Sequence, residues 1–193
     1  MPTLVFATRN THKVDEVRRI LADLDVTVQS LDDLGLDLDP PETGDTFEAN
    51  ALQKARYVHE RTGQPTVADD SGLEVDGLGG RPGVHSKRFS PEATAEANNA
   101  LLLASLGPEA DRTARFRCVV AVVDTHGERT ASGACEGRIA TELSGAGGFG
   151  YDPLFLPDEA PGRSMAELSM DAKNAISHRG RAFRALPSLL ERP

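Results

Sequence analysis

The chain has 193 residues, 39% of them hydrophobic and 26% charged, with a formal net charge of −9. A fold of this size buries about 70% of its unfolded surface, so it can form a core without disulfide or metal staples, and no apolar run reaches the ~20 residues of a membrane span. The acidic balance opposes the basic footprint that polymeric nucleic acid demands, because duplex affinity rests largely on neutralised phosphates.

The N-terminal segment MPTLVFATRN lacks the basic region, long apolar stretch and cleavage site of a secretory signal, so the expected location is the cytoplasm. TLVFAT (3–8) reads as a short strand, and HKVDEVRRILADL (12–24) carries Val14, Val17, Leu21 and Leu24 at helical spacing. VTVQSL (26–31) reads as a second strand, followed by an acidic loop whose Pro40–Pro41 pair excludes a regular helix. A second helix is expected from a cap at Asp45 or Thr46, with Phe47, Ala51, Ala55 and Val58 on one face and Gly63 as its stop. PTVAD (65–69) is the third expected strand, and residues 71–90 are rich in glycine and read as irregular. PEATAEANNALLLASLG (91–107) follows as a helix with Pro91 near its first turn.

ARFRCVVAVVD (114–124) and RTASGACEGRIA (129–140) read as a hairpin turning through THGE. With His126 and Gly127 at the turn centre, Arg117 faces Glu136, Asp124 faces Arg129 and Cys118 faces Cys135. Two cysteines are too few for a zinc cluster of paired spacing, and in a reducing compartment they read as packed thiols. A second glycine-rich connection (144–155), the segment SMAEL (164–168) and a helix from about Ser177 through Arg192, bent at Pro187, complete the chain. Parallel pairing early and an antiparallel hairpin later predict a mixed sheet in a single α/β domain spanning residues 1–193.

Five stretches carry the chemistry. ATRNTHK (7–13) leaves a strand and enters a helix, offering Thr8, Asn10, backbone N–H groups and the Lys13 ammonium to a phosphate, though taken alone it reads more simply as an ordinary helix cap by Asn10 or Thr11 with a surface lysine. VADDSG ends an apolar run on Asp69 and Asp70, at what reads as a strand's end, and adjacent carboxylates need a cation or donors. Because alternate strand residues face opposite ways, one aspartate can hold metal or activate water while the other braces the loop. ETGDTFEAN (42–50) places Glu42, Asp45 and Glu48 at a helix start, where the helix dipole alone favours acids. GGFGYDP (147–153) presents Phe149 and Tyr151 for stacking on a base or for a buried turn. KNAISHRGRAF (173–183) concentrates Lys173, His178, Arg179 and Arg181 in an otherwise acidic chain.

Together, in this order and over nearly the whole length, ATRNTHK, ETGDTFEANALQKA, VADDSGLEVDGLGGRPGVHSKRFS, GGFGYDPLF and AISHRGRA resemble the inosine-triphosphatase-like pyrophosphatases of noncanonical purine nucleoside triphosphates. The resemblance implies an elongated α/β fold, a mixed sheet with flanking helices in two lobes around a central nucleotide-binding cleft, generally as a homodimer. It implies a Mg2+-dependent hydrolase that cleaves dITP, ITP or XTP between the α- and β-phosphates. The monophosphate and pyrophosphate are released, and deaminated purines are thereby cleared from the nucleotide pool. Thr8, Arg9, Asn10, Thr11, His12 and Lys13 would hold the phosphates. Asp70 would be the metal ligand and catalytic carboxylate, with Ser71 next to substrate. Phe149, Gly150, Tyr151 and Asp152 would form the base pocket, Phe149 stacking on the purine, while Lys173, His178 and Arg179 complete nucleotide binding.

Donors on His178 or Arg179 suit the 6-keto acceptor of hypoxanthine and xanthine; guanine shares that group, so its exclusion rests on the 2-position. Two residues depart from the family pattern. Pro41 stands where many members carry a glutamate proposed as a metal ligand, with Glu42 the candidate substitute, and Arg9 stands where glycine is common. The alternatives are a Maf-like pyrophosphatase, which the SHRG and GGFGYDP motifs disfavour, a nucleotide sensor without turnover, and a structural interaction protein. The last leaves the clustered basic residues unexplained.

Overall fold

In the computed structural model, which describes residues 3–191, the run Thr3–Phe6 forms β1 with Leu4, Val5 and Phe6 all buried. Both faces of this strand are covered, which is why it reads as a continuous apolar run rather than an alternation. Leu4 and Phe6 join Val14, Val17 and Ile20 of α1 (Thr11–Ile20) on one side. Val5 and Ala7 join Ala51, Ala55 and Val58 of α2 (Phe47–Thr62) on the other. α2 starts at the Thr46 cap, whose hydroxyl accepts from Ala49 N, and stops at Gly63, whose left-handed φ of 66° favours glycine.

β1 pairs in parallel with β2 (Thr27–Ser30) in the register Thr3↔Thr27 to Phe6↔Ser30, and with β3 (Thr66–Val75) through Val5↔Thr66 and Phe6↔Val67. The six-stranded sheet has the order β2-β1-β3-β4-β5-β6, with β4 spanning Thr113–Asp124, β5 Gly127–Ile139 and β6 Phe155–Pro157. β6 runs antiparallel to β5, so the sheet is mixed, as the pattern predicts.

Two compact units divide the chain. The first holds the chain to Asp70, Cys118–Gly133 and the chain from Arg179. Its core closes where Phe183 meets Phe6 edge to face, ring centroids 5.6 Å apart. The second holds Ser71–Arg117 and Ala134–His178, with a separate core that includes Leu73, Leu102, Phe116, Tyr151, Leu154 and Phe155.

Several expectations are corrected. β3 runs from Thr66 to Val75, so Asp69 and Asp70 lie within a strand and not at its end, and the stretch beyond it holds two 3-10 turns, Asp76–Leu78 and Gly83–Arg88. Within the strand Leu73 and Val75 are buried while Ser71 and Glu74 are half-buried, a mixed pattern that a search for apolar runs stops short of seeing. α3 spans Ala95–Ser105 with Thr94 as its cap, leaving Pro91 outside it. The hairpin turns at Thr125–His126, because β4 ends at Asp124 and β5 begins at Gly127. Arg115, two residues earlier than expected, therefore meets Glu136 at 2.9 Å, while Arg117 pairs with Glu74 at 2.7 Å. Asp124 and Arg129 do pair, at 2.6 Å. Both cysteines are free and buried. The expected C-terminal helix is two, α5 (His178–Arg184) and α6 (Leu186–Leu190), preceded by α4 (Met170–Ile176). The break falls at Ala185, just before Pro187 in the first turn of α6, and Arg192 lies outside the described residues.

Candidate active site

Alternation along β3 sends its two aspartates to different partners. Asp69 shares the side of Val67, toward α1 and α5, whereas Asp70 shares the side of Ala68, toward α2. Asp69 takes the Lys13 ammonium at 3.1 and 3.0 Å through its two oxygens. It also accepts from Arg179 Nε and Nη2, each at 3.4 Å, and Arg179 Nη1 donates to Glu16 Oε2 at 2.6 Å. On the other side, Asp70 accepts from Asn50 Nδ2 at 2.9 Å. Lys54 Nζ lies 3.9 Å from Asp70 Oδ1 and 2.5 Å from Glu42 Oε1. Asn50 completes this arrangement by accepting from Gly44 N at 2.7 Å, which ties the loop after Glu42 to the strand.

Burial and charge act oppositely on the two carboxyls. Desolvation alone would raise Asp69, but Lys13, Arg179 and Lys54 hold it well below the usual carboxylate range. For Asp70 desolvation wins: its pKa is raised despite Lys54 and the Asn50 hydrogen bond, with Glu42 adding repulsion. Lys13 is lowered, because desolvation and the neighbouring cations outweigh its aspartate. Burial pulls Lys54 down as well, yet Asp69, Glu42 and Asp70 bring it out above the ordinary lysine value. The pair divides into a permanently ionised anchor, Asp69, and a carboxyl held closer to protonation, Asp70. That second property suits a group which must accept a proton from water.

At the start of α1, Asn10 caps the helix by accepting from Lys13 N at 3.3 Å and donates its own N–H to Thr8 Oγ1 at 3.2 Å. Thr11 and His12 occupy the exposed first turn. Arg9 is directed to the loop after β2, meeting Asp37 at 2.7 Å and Asp32 at 3.4 Å.

In the second unit, Asp152 is the hub. Its Oδ2 accepts from Phe149 N at 2.8 Å and from Lys173 Nζ at 2.6 Å, and it is 3% exposed. Lys173 Nζ also lies 4.8 Å from the Phe149 ring centroid, so one cation fixes both the acid and the half-buried ring. The turn demands glycine at 148, where φ is +69° and a Cβ would stand 2.1 Å from Asp152 Oδ2. Gly150 O accepts from Asn99 Nδ2 at 2.9 Å, and Tyr151 donates its hydroxyl to Ser86 O at 2.8 Å. Tyr151 is 5% exposed and burial raises its pKa, so it anchors the turn rather than presenting a free face for stacking. His178 stacks on Phe116, centroids 4.7 Å apart. Ser71 follows Asp70 in β3, half-buried.

The expected residues thus form two clusters. Thr8, Asn10, Lys13, Asp70 and Arg179 belong to the first unit; Ser71, Phe149, Gly150, Tyr151, Asp152, Lys173 and His178 belong to the second. The Arg179 guanidinium is engaged by Glu16 and Asp69. Four site residues were not singled out from the sequence: Glu16, Asn50, Lys54 and Phe116. Asn50 and Lys54 had a signal, since polar residues four apart flank the apolar face of α2 and both prove buried. Among the described residues no group of three acids, histidines or cysteines converges as a metal site. The hard-oxygen pair Asp70 and Glu42, both facing Lys54, fits magnesium, which commonly takes one or two carboxylates and completes its shell with water and phosphate.

Residues 4–189 match the model of the Ham1 family. The chain is 48% identical over 192 residues to a protein of Porphyromonas gingivalis named dITP/XTP pyrophosphatase, covering 98% of each. A protein of the same name from Geobacter sulfurreducens is 51% identical over 190 residues, with 96% of this chain and 95% of that protein covered. Among solved structures, the Staphylococcus aureus Ham1 protein superposes with a TM-score of 0.85 at 37% identity, over 97% of both chains.

Proposed function

The chain belongs to the Ham1 family, and from that premise we propose that it hydrolyses dITP, ITP and XTP to the nucleoside monophosphate and pyrophosphate. The observation that carries the reading is the likeness, along almost the full chain, to relatives named for that activity. The split behaviour of the two aspartates adds to it, because hydrolysis needs one carboxylate able to take a proton.

In this reading Asp70 orients the attacking water and accepts its proton, while Asn50 and Lys54 hold the carboxylate in place. Lys13 and the backbone N–H groups at the start of α1 bind phosphate oxygens. Thr8 and Asn10 shape that turn, and Thr11 and His12 add donors to it. Arg9, engaged by Asp32 and Asp37, supplies positive potential rather than a direct bond. Asp70 and Glu42 would hold magnesium, which when bound neutralises charge on the triphosphate. The chain needs no glutamate at Pro41, because Glu42 already stands across Lys54 from Asp70.

In the second unit, Phe149 stacks on the purine, with Lys173 and Asp152 fixing its turn. Gly150 and Tyr151 shape that turn, Ser71 lies beside the substrate, and His178 donates to the 6-keto oxygen. On the family resemblance the enzyme is a cytoplasmic homodimer, and no helix of the described residues is long and apolar enough to cross a membrane.

Pyrophosphate release from dITP, XTP, dGTP and dATP, with and without magnesium, tests the reading. Selective, magnesium-dependent release from dITP and XTP is expected. Equal release from dGTP, or none from any of them, would sink it.

A further inference from the structure

We infer that Glu16 is a positioning residue for nucleotide binding, acting through Arg179 and Asp69 on the ammonium of Lys13. The inference rests on the reading that Lys13 meets the phosphates.

Four side chains of the first unit alternate in sign from Glu16 to Arg179 to Asp69 to Lys13. The ring closes on one helix, since Lys13 and Glu16 are three residues apart on α1 and share a face. Three of the four are almost wholly enclosed: Glu16 is 4%, Arg179 2% and Asp69 2% exposed. Lys13 is the end that reaches outward, its side chain 15% exposed.

Stability does not explain Glu16. An apolar residue there would extend the stripe of Val14 and Val17, and buried ion pairs are often no more stabilising than the apolar groups that could replace them. The distances point to another purpose. Arg179 makes its short bond to Glu16, 2.6 Å, and its two contacts with Asp69 are long, 3.4 Å each. A guanidinium is a rigid fork that prefers to grip one carboxylate with two short bonds. Glu16 holds it back from that grip, so Asp69 keeps its own short contacts, 3.1 and 3.0 Å, for Lys13. Without the Glu16 charge the fork closes on Asp69, competes with Lys13 and releases the ammonium from its set position.

A double-mutant cycle between Glu16→Gln and Lys13→Met decides this. The readouts are KM and kcat for dITP, the dissociation constant of pyrophosphate by calorimetry, and the melting temperature. In the wild-type background, Glu16→Gln should raise KM and weaken pyrophosphate binding about tenfold while kcat falls less than about threefold. In the Lys13→Met background the same change should move neither by more than about twofold, because the residue through which Glu16 acts is gone. A lower melting temperature with KM and pyrophosphate affinity intact would reduce Glu16 to a fold residue and overturn the inference. Equal effects in both backgrounds would do so too. Should Glu16→Gln not fold, Glu16→Asp, which keeps the charge but withdraws it by one methylene, is carried through the same cycle. A folded wild-type protein that neither turns over dITP nor binds pyrophosphate overturns both this inference and the functional reading. An active wild type with additive variants overturns this one alone.

Discussion

Asn50→Asp isolates the contact that holds the proposed catalytic carboxylate. Asn50 is 1% exposed and donates to Asp70 Oδ2 at 2.9 Å. The substitution keeps the shape but turns a donor into a second carboxylate oxygen. At the 2.9 Å of the present contact, two unit charges repel by about 6 kcal/mol at an effective dielectric constant of ~20. Holding a proton on one carboxyl at pH 7 costs less, about 4 kcal/mol, from 1.36 kcal/mol for each of the ~3.1 pH units above a pKa of ~3.9. The folded pair therefore takes up a proton, and the destabilisation is capped near about 4 kcal/mol at pH 7 and about 1.5 kcal/mol at pH 5. The sign follows: the pair's folded pKa is raised above its unfolded value, so stability is retained below about pH 4 and is lost progressively as pH rises from there to the folded value. Thermal melts of both proteins in chelator check it. At about 2–4 °C per kcal/mol for a chain of this length, the gap should be roughly 8–16 °C at pH 7 and roughly 3–6 °C at pH 5. A gap of equal size at both pH values would refute the Asn50–Asp70 contact as the source.

Asp70→Asn should abolish most turnover, by a factor on the order of 100 or more, yet melt above the wild type at pH 7 without metal. Burial raises the Asp70 pKa, so its charge costs stability above the unfolded value, and the difference should vanish below about pH 4. Phe149→Ala should weaken dITP binding by about 1–3 kcal/mol, the usual worth of base stacking, as titration calorimetry would read. Gly148→Ala, with a Cβ 2.1 Å from Asp152 Oδ2 at a φ of +69°, should lower stability by more than about 1 kcal/mol in denaturant unfolding. It should also weaken dITP binding, by displacing the acid that fixes Phe149.

The mixed sheet was legible because its signals are local: periodicity in α1 and α2, a threonine cap and a glycine stop, and paired apolar runs. What escaped depended on partners far away in sequence. The strand through Asp69 and Asp70 continues to Val75 although an apolar-run criterion ends it at the charges, because Lys13, Lys54 and Arg179 compensate them from other elements. The hairpin turns one residue earlier than the His126–Gly127 centre, and Arg115 rather than Arg117 reaches Glu136, a choice that the THGE segment alone does not make. Of the candidate site, Glu16 was not legible. A glutamate one turn after a helix start reads as solvated, and its guanidinium partner lies 163 positions later.

On the proposed reading, the charges around β3 give a reason for a divalent cation. Around β3 the first unit gathers four carboxylates, Glu16, Glu42, Asp69 and Asp70, against three cations, Lys13, Lys54 and Arg179. Four negative and three positive charges leave one negative, before any phosphate arrives. Each cation already faces a carboxylate, so a phosphate that meets Lys13 must share it with Asp69. A triphosphate bound there would gain from positive charge that comes with it, and Asp70 with Glu42 would hold a magnesium ion supplying that charge. On the proposed reading, Asp70 with Glu42 recruits that charge with the substrate, while Asp69 holds Lys13 in place.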